Sequence, residues 1–459
     1  MQTSKALVNG LAFDAVERGI DYLNSLSERR VFPSPKDIEK LKRFDEPLPE
    51  EPSDPMDVLQ MLDEVGSQGT VASAGGRYFG FVVGGSLPAA YAANILAAAW
   101  DQNAGLFALS PATSVLEEVT TSWLLELLGL PPGAGIGFVS GATMANFTCL
   151  AAARHALLEK TGWDVEAKGL FGAPSIDVIV GEEVHVSLLK ALSMLGMGRE
   201  RVKRVPVDDQ GRMRADALPE ISGPAIVCIQ SGNVNSGAFD PAQEICEQAH
   251  QSGGWVHVDG AFGLWALVSH ELAHLTRGID QADSWATDAH KWLNVPYDSG
   301  LAIVREPLNI RAAMTTDAAY LIKQGQREPD EFTPEMSRRA RGIEIWAALK
   351  SLGRSGLADL VDRCFRYARR LAGGLSEAGF DILNDVDLNQ VLVSFGDDEM
   401  TKKVIAAIQE EGTCWCGGTF WHGRAAMRIS VSSWATTGED VERCLESMIR
   451  LAKKVKRSA

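Results

Sequence analysis

The chain has 459 residues, of which 46% are hydrophobic and 23% are charged, and its formal net charge is -16. That composition is typical of a folded globular protein and excludes a disordered or fibrous chain. The acidic balance excludes nucleic acid and anionic membranes as partners of the protein as a whole. Because the length exceeds the usual size of a single domain, we expect one large domain and a smaller one.

The first segment of the chain predicts an arm. A helical hydrophobic pattern runs through Leu11, Val16, Ile20 and Leu23, and a proline-rich stretch follows it. Such a segment cannot form a compact core by itself. We therefore expect residues 1–75 to lie on the body of the protein or on another subunit.

Targeting and redox features favour a cytoplasmic protein. The N-terminus lacks the basic start, apolar core and small-residue cleavage site of a signal peptide. The Ala-rich stretch at residues 87–100 is too short to span a bilayer, so we expect no membrane association. The seven cysteines are scattered, and the pair Cys414 and Cys416 is a weak metal signal beside the simpler interpretation of reduced, buried thiols. We expect no metal site.

Between about residues 135 and 305, helical patterns alternate with short apolar runs typical of buried strands. Several of these runs are continuous, which favours a mostly parallel sheet covered by helices on both faces. After residue 340 a long helical pattern, two strand-like runs and a final helix predict a smaller α+β domain. We place the large domain at residues 76–340 and the small one at residues 341–459. The strand-sized runs are 135–141, 175–185, 201–207, 225–232, 254–261 and 300–305.

Two residues in this region are candidates for a catalytic pair. Asp259 ends a strand-sized run, and Lys291 lies downstream in the motif DAHKW. In open α/β sheets, ligands bind beyond the carboxyl ends of strands. A lysine that forms a Schiff base and an acid that keeps a pyridine nitrogen protonated are what pyridoxal 5'-phosphate (PLP) requires. Taken alone, Asp259 is equally a turn cap, and Lys291 is equally a structural lysine with a buried stem.

A small-residue turn is the candidate phosphate site. Gly141, Ala142 and Thr143 lie between a predicted strand and a predicted helix, where backbone N–H groups and the helix dipole attract an anion. Most such turns only cap helices, so the signal is weak alone. The turn lacks the GxGxxG and Walker patterns, which argues against dinucleotide and P-loop sites.

Further polar residues follow other strands. His185 opens a helix, either as a cap or as a group that stacks on a cofactor ring. Asn233 and Asn235 follow another strand and suit a ring substituent or a substrate carboxylate. His290 immediately precedes Lys291 and is placed to contact a phosphate or to act on protons.

The ordered set of motifs resembles the group II PLP-dependent decarboxylases of fold type I, which include aromatic amino acid and glutamate decarboxylases. It includes SGATMAN, VHVSLLKA, GNVNSGAFDP, HVDGAFG, DAHKWLNVPYDSG and MRISVSSWATT. The resemblance implies an α/β PLP-binding domain with a mostly parallel sheet of the seven-stranded type, and a smaller C-terminal domain. It also implies a homodimer with shared active sites, in which the N-terminal helical arm embraces the partner.

The resemblance also implies roles for individual residues. Lys291 is similar to the Schiff-base lysine, Asp259 to the partner of the pyridinium nitrogen, and His185 to the residue stacked on the ring. Ala261 would lie under the ring, and Asn233 stands where many members have threonine.

Phosphate contacts and a substrate pocket are implied as well. The phosphate contacts fall on Ala142, Thr143 and His290, beside Gly141 of the same turn. Tyr78 and Phe79 fall in the segment that lines the family's substrate pocket, and we add two aromatic residues as pocket candidates, Phe107 and Phe332.

One departure from the family concerns the loop before Arg338. The family has a tyrosine there that helps to protonate the carbanion after CO2 leaves, whereas residues 321–337 contain no tyrosine and Tyr320 lies just upstream. Loss of that donor in related enzymes favours an aldehyde product, and DAHK is also similar to the phospho-sphingoid lyases.

We therefore predict a PLP-dependent decarboxylase of an L-amino acid, with aromatic or hydrophobic substrates mildly favoured by the apolar pocket segment. An aldehyde synthase and a carbon–carbon lyase stay as alternatives. A non-catalytic relative is disfavoured because Lys291, Asp259 and His185 are all retained.

Overall fold

The structure, a computed structural model, describes residues 5–316 and 325–458. No helix in this described part of the chain is long and apolar enough to cross a membrane. The helices are α1 (Lys5–Ser25), α2 (Pro35–Lys40), α3 (Pro55–Met61), α4 (Pro88–Trp100), α5 (Pro111–Leu127), α6 (Ala142–Glu159), α7 (Val165–Lys168), α8 (Val186–Met194), α9 (Ala242–Gln251), α10 (Pro307–Met314), α11 (Gly342–Glu377), α12 (Asp398–Glu411) and α13 (Gly438–Ser458). The strands are β1 (Gly135–Val139), β2 (Asp177–Gly181), β3 (Lys203–Val205), β4 (Ala225–Gln230), β5 (Trp255–Asp259), β6 (Ser284–Asp288), β7 (Gly300–Val304), β8 (Asp381–Ile382), β9 (Gln390–Ser394), β10 (Gly417–Trp421) and β11 (Arg424–Ser430).

The chain divides into two compact units. The smaller unit comprises the described residues within Met1–Val83, Arg370–Leu383 and Leu392–Ala459, and the larger unit those within Gly84–Arg369 and Asn384–Val391. This division by contacts differs from the predicted boundaries at residues 75 and 340, because the N-terminal segment packs with C-terminal strands. Arg77, for example, donates to the carbonyl oxygens of Thr413 and Ser27. The predicted folding domains stay a prediction.

A seven-stranded sheet forms the centre of the larger unit, in the order β1-β7-β6-β5-β4-β2-β3. Strands β3, β2, β4, β5 and β6 run parallel to one another, while β7 is antiparallel to both β6 and β1. The expectation of a mostly parallel sheet is confirmed. Because β7 follows β6 without a crossover helix, the two strands form an antiparallel pair.

Helix α6 covers one face of this sheet. Its small residues, among them Ala145, Cys149 and Ala152, are fully buried in a core shared with strand residues such as Val139 and Val180. Strands β1, β4, β5, β6 and β7 are buried along their whole length. This is the burial expected of strands covered on both faces, which is why their sequences read as continuous apolar runs.

The smaller unit contains a four-stranded sheet in the order β10-β11-β9-β8. Its last helix, α13, begins at a capping box in which Thr437 Oγ1 accepts the N–H of Asp440 and the Asp440 carboxylate accepts the N–H of Thr437, both at 3.1 Å. Such a reciprocal pair satisfies N–H groups that the helix leaves without partners.

The long helix after residue 340 differs in one respect from its pattern. One long helical pattern was predicted, whereas α11, which starts at Gly342, is interrupted at Gly353, where φ is 61° and ψ is -176°. Glycine adopts this backbone conformation without the steric penalty that a Cβ brings.

Candidate active site

The register of three strands brings their ends together at one edge of the larger unit's sheet. Gly300 at the start of β7 pairs with Val139 at the end of β1 and with Asp288 at the end of β6. On the other side of β6, Ala286 pairs with Asp259 at the end of β5. The segments that follow β1, β5 and β6 therefore emerge side by side, at the edge where α/β sheets bind ligands.

A single carboxylate connects the lysine to the turn that opens α6. Asp288 accepts a hydrogen bond from the Ala142 N–H at 2.5 Å through Oδ1, and its Oδ2 lies 2.9 Å from Lys291 Nζ. The Asp288 side chain is 4% exposed and that of Lys291 is 19% exposed. The amine is therefore held in a mostly enclosed position beside the helix N-terminus, where an anion would be stabilised.

His290 lies against the same turn. Its Nδ1 accepts the Ser299 N–H at 3.0 Å, and a methyl group placed on Gly141 would be 3.0 Å from His290 Cε1. Burial lowers the pKa of His290 below its ordinary value, so the ring is neutral near pH 7. With Nδ1 accepting, the ring proton is on Nε2 and is available as a donor.

The acid at the end of β5 is linked to this group through the backbone. Asp259 is 5% exposed, and its Oδ1 accepts the Ala261 N–H at 3.2 Å. The Ala261 carbonyl in turn accepts the Asp288 N–H at 2.9 Å. The predicted acid, the predicted alanine and the lysine segment thus belong to one hydrogen-bonded assembly.

His185 and Asn233 follow two further parallel strands, β2 and β4. His185 is the N-cap of α8, where its Nδ1 accepts the Ser187 N–H at 3.3 Å. The structure thus shows the helix-cap interpretation directly, and the ring-stacking role stays a prediction. Asn233 is 1% exposed, and its Oδ1 accepts the Asn235 N–H at 2.8 Å.

Two buried polar atoms test whether the residues fit PLP. Asn233 Nδ2 and Ser299 Oγ have no hydrogen-bond partner within residues 5–316 and 325–458. Buried donors without partners are costly, and native proteins usually satisfy them with water or a ligand. PLP offers phosphate and phenolate oxygens as acceptors, an aldehyde for the Lys291 amine and a ring nitrogen for Asp259. The donor set therefore fits this cofactor.

A sequence model of the pyridoxal-dependent decarboxylase conserved domain matches residues 37–396 of this chain. The chain belongs to this family. It is therefore a PLP-dependent amino-acid decarboxylase, which is a carboxy-lyase. The prediction from the motifs is confirmed, and the family assignment does not favour the aldehyde synthase and carbon–carbon lyase alternatives.

Characterised relatives support the assignment. The chain is 25% identical to the aromatic-L-amino-acid decarboxylase of Bacillus atrophaeus, over 99% of this chain and 97% of that protein. It is 30% identical to the acidic amino acid decarboxylase GADL1 of Mus musculus, over 69% of this chain and 59% of that protein. A crystal structure of Oryza sativa TDC with PLP and tryptamine matches with a TM-score of 0.91 at 21% identity, over 99% of both chains. That structural likeness confirms the fold type I expectation.

Two of the predicted pocket residues, Tyr78 and Phe79, belong to the smaller unit. The Tyr78 ring stacks on Trp415 with centroids 5.2 Å apart, and burial raises the pKa of Tyr78 to about 12. Phe79 is 1% exposed, and its N–H donates to the Trp415 carbonyl at 2.9 Å. Both residues are thus fixed in a segment that pairs with the chain around Trp415.

The other two pocket candidates, Phe107 and Phe332, lie in the larger unit. The Phe107 N–H donates to Glu328 Oε2 at 2.8 Å, which ties its loop to the segment after residue 325. Phe332 is buried in the hydrophobic core with residues such as Val304 and Ile310. The structure therefore places Phe332 in a core cluster, and it does not bring Phe332 to the Lys291 group. Tyr320 and residues 321–324 of the tyrosine-free loop lie outside the described residues.

Several residues around Lys291 were missed by sequence reasoning. The partner of its amine, Asp288, had a signal, because an acid three residues before the lysine lies in the same motif. Ser299 and Tyr297 had none, since their places depend on the path of the loop between β6 and β7. The Tyr297 ring stacks on His290 with centroids 4.2 Å apart, so it covers the ring next to the lysine.

Gly84 is a further missed residue, and it generates a prediction. A Cβ on Gly84 would lie 1.8 Å from the Lys291 carbonyl oxygen, so Gly84→Ala must displace the lysine segment. We expect the variant to lose roughly 1–3 kcal/mol of unfolding free energy and to bind PLP about tenfold more weakly. Urea unfolding and titration of the cofactor-free chain with PLP measure the two effects.

The matched control for this substitution is Gly223→Ala. No heavy atom lies within 4 Å of a Cβ at Gly223, so both quantities should equal those of the unmodified chain. Unchanged PLP affinity in Gly84→Ala would contradict the claim that this close approach positions Lys291.

Proposed function

We propose that this decarboxylase acts on L-amino acids with aromatic or hydrophobic side chains, with Lys291, Asp259 and His185 as its catalytic residues. The observation that carries the residue assignment is the contact of Lys291 Nζ with Asp288 at 2.9 Å, beside the N-terminus of α6. This contact places a lysine, the kind of side chain that binds PLP covalently, next to the backbone N–H groups of a helix N-terminus, which bind anions.

In this proposal each part of the cofactor has a partner. Lys291 binds it covalently, and Asp259 holds a proton at the ring nitrogen. His185 and Ala261 would hold the ring, and Asn233 would donate its amide hydrogen to a ring oxygen. The phosphate is bound by a group of donors at the α6 turn and the loop before β7: the N–H groups of Gly141, Ala142 and Thr143, the His290 ring and the Ser299 hydroxyl.

When bound, PLP supplies an electron sink that takes up the electron pair of the breaking bond between Cα and the carboxylate. The protein's own contribution is orientation and charge. Asp288 keeps the Lys291 amine close to the α6 turn before the cofactor arrives. Because phosphate and carboxylate are both anions, the N–H of Ala142 that Asp288 accepts here would also suit the phosphate of the cofactor.

An aromatic stack in the smaller unit supports the substrate class. The Trp415 ring stacks on Tyr78 at 5.2 Å and on Phe81 at 5.5 Å, and Phe81 is 62% exposed. Flat apolar surface of this kind binds aromatic side chains through offset stacking.

An acidic amino acid is the second candidate substrate, favoured by Arg428 on β11. Its guanidinium is largely buried, which lowers its pKa, and no acidic partner of it lies in the described part of the chain. A largely buried cation without a partner is costly unless a ligand carboxylate pairs with it. Four other arginines of the C-terminal part already pair with acids: Arg338 with Glu117, Arg339 with Glu344, Arg341 with Asp298 and Arg424 with Asp381.

A panel of L-amino acids, assayed in parallel for CO2, amine, aldehyde and peroxide, tests the proposal. We expect CO2 and amine in equal amounts from aromatic or hydrophobic substrates, and no turnover by Lys291→Ala. Arg428→Met should leave the preferred aromatic substrate within about threefold in kcat/KM, because no charge pairs with its side chain.

The matched control is Arg424→Met on the same strand, which breaks an exposed pair with Asp381 and should change no substrate preference. If acidic amino acids are the best substrates and Arg428→Met abolishes their turnover, the acidic candidate is correct and the aromatic one is wrong. Aldehyde and peroxide in place of amine would overturn simple decarboxylation.

We also propose a homodimer in which the N-terminal segment contacts a second copy. Helix α1 exposes three apolar residues, with Phe13 at 76%, Val8 at 53% and Ile20 at 46%. Exposed apolar surface of this kind marks a protein–protein interface. Sedimentation of the purified chain should give a particle of twice the 49.5 kDa chain mass. Phe13→Asp should shift it towards the monomer, and a monomeric unmodified protein at assay concentration would contradict the proposal.

We propose a cytoplasmic location from the burial and the reduced state of the cysteines. All seven are buried and none forms a disulfide, as is usual in a reducing compartment. Fractionation of the native source, probed for this chain, tests the location.

A further inference from the structure

A line of buried polar side chains runs along β5 and ends at Asp259. Trp255, His257 and Asp259 alternate with two valines, so their side chains project from the same face of the strand. Side chains from two neighbouring elements, Ser284 of β6 and Asn146 of α6, complete the line. His257, Ser284 and Asn146 are each 0% exposed, so none of them exchanges its hydrogen bonds with solvent.

Four hydrogen bonds connect these side chains without a gap. Trp255 Nε1 donates to Ser284 Oγ at 2.9 Å, and Ser284 Oγ lies 2.9 Å from His257 Nδ1. His257 Nε2 lies 2.8 Å from Asn146 Oδ1, and Asn146 Nδ2 donates to Asp259 Oδ2 at 3.2 Å.

The chemistry of the two ends fixes the direction of every bond. A carboxylate only accepts, so Asn146 must present its NH2 group to Asp259 and its oxygen to His257. His257 therefore carries its proton on Nε2 and accepts at Nδ1. The indole N–H of Trp255 only donates, so the Ser284 hydroxyl accepts from it and donates to His257. All four donors consequently face towards Asp259.

His257 continues the common direction of these hydrogen bonds, and its ring carries no charge. Complete burial lowers the pKa of His257 to about 3, so the ring is neutral near pH 7. A neutral imidazole with one donor and one acceptor passes the orientation of the hydroxyl on to the amide. Hydrogen bonds aligned in this way polarise one another in a low-dielectric interior.

We propose that His257, Asn146 and Ser284 are positioning residues whose aligned hydrogen bonds hold the Asp259 carboxylate directed at the ring nitrogen of PLP. The proposal rests on the role of Asp259 given under Proposed function. It extends the site inward from the carboxyl edge of the sheet, to residues that touch neither cofactor nor substrate.

The deciding measurement compares two ligands that differ only at the ring nitrogen. Cofactor-free chain is titrated with PLP and with its deaza analogue, in which that nitrogen is replaced by carbon, and visible absorbance gives each Kd. The hydrogen-bond chain acts through the nitrogen alone. Its loss should therefore weaken PLP binding and leave binding of the analogue unchanged, whereas a merely structural defect weakens both.

His257→Met removes the donor at the Nε2 position and should reduce the preference for PLP over the analogue about 10- to 100-fold, the usual range for a hydrogen bond that acts on a charge. His257→Gln places an amide where Nε2 lies and should keep the preference within about threefold. Ser284→Ala, a smaller change that removes the hydroxyl donor, should shift the preference in the same direction by a smaller factor. It decides the question if His257→Met does not fold.

The matched control is His250→Gln, which alters a histidine–carboxylate contact of 2.9 Å with Asp283 at the opposite end of β6. It should change neither Kd. The proposal is overturned if His257→Met and Ser284→Ala keep the full preference, or if they weaken both ligands equally. If the unmodified chain itself does not prefer PLP over the analogue, the proposed role of Asp259 fails, and this outcome is distinct from failure of the hydrogen-bond chain.

Discussion

The site depends on the register of β1, β7 and β6. This register places the ends of the three strands next to one another. Because Gly300 pairs with both Val139 and Asp288, the turn that opens α6 meets the segment that carries Lys291. A shift of one residue in the pairing of β6 with β7 would turn Asp288 to the opposite face of the sheet. Contacts within the hydrophobic core around α6 hold this register, so the core of the larger unit and its chemistry are coupled.

Two buried carboxylates define the charge of this edge, and each is balanced in a different way. Asp288 is balanced by the Lys291 amine and a helix N–H. In the part of the chain that the structure describes, no cation contacts Asp259, whose oxygens accept from Asn146 and the Ala261 backbone. A buried carboxylate supported only by neutral donors is suited to hold a proton on a cationic ligand atom. In this proposal, Asp288 holds the Lys291 amine before the cofactor binds, and Asp259 would hold the proton of the ring nitrogen afterwards.

Sequence reasoning located the fold class and the segments of the site because both follow from local pattern. Continuous apolar runs predicted the parallel sheet, and Asp259 and Asn233 marked the ends of two of these runs. The partners of these residues were not predictable, since Asn146 and His257 meet only after α6 packs on β5. His257 alternates with valines in the sequence, but a lone histidine gives no sign of its neighbours. Phe332 packs in the core around α6, a placement that its sequence did not indicate, and its role in the substrate pocket stays a prediction.

The central claim is that Lys291 carries the cofactor. Borohydride reduction of the holoenzyme, followed by proteolysis and peptide mass spectrometry, identifies the amine that is bound. The account predicts a pyridoxyl group on the peptide containing Lys291 and on no other lysine peptide. An active preparation that carries the group on a different lysine, or on none, would contradict it.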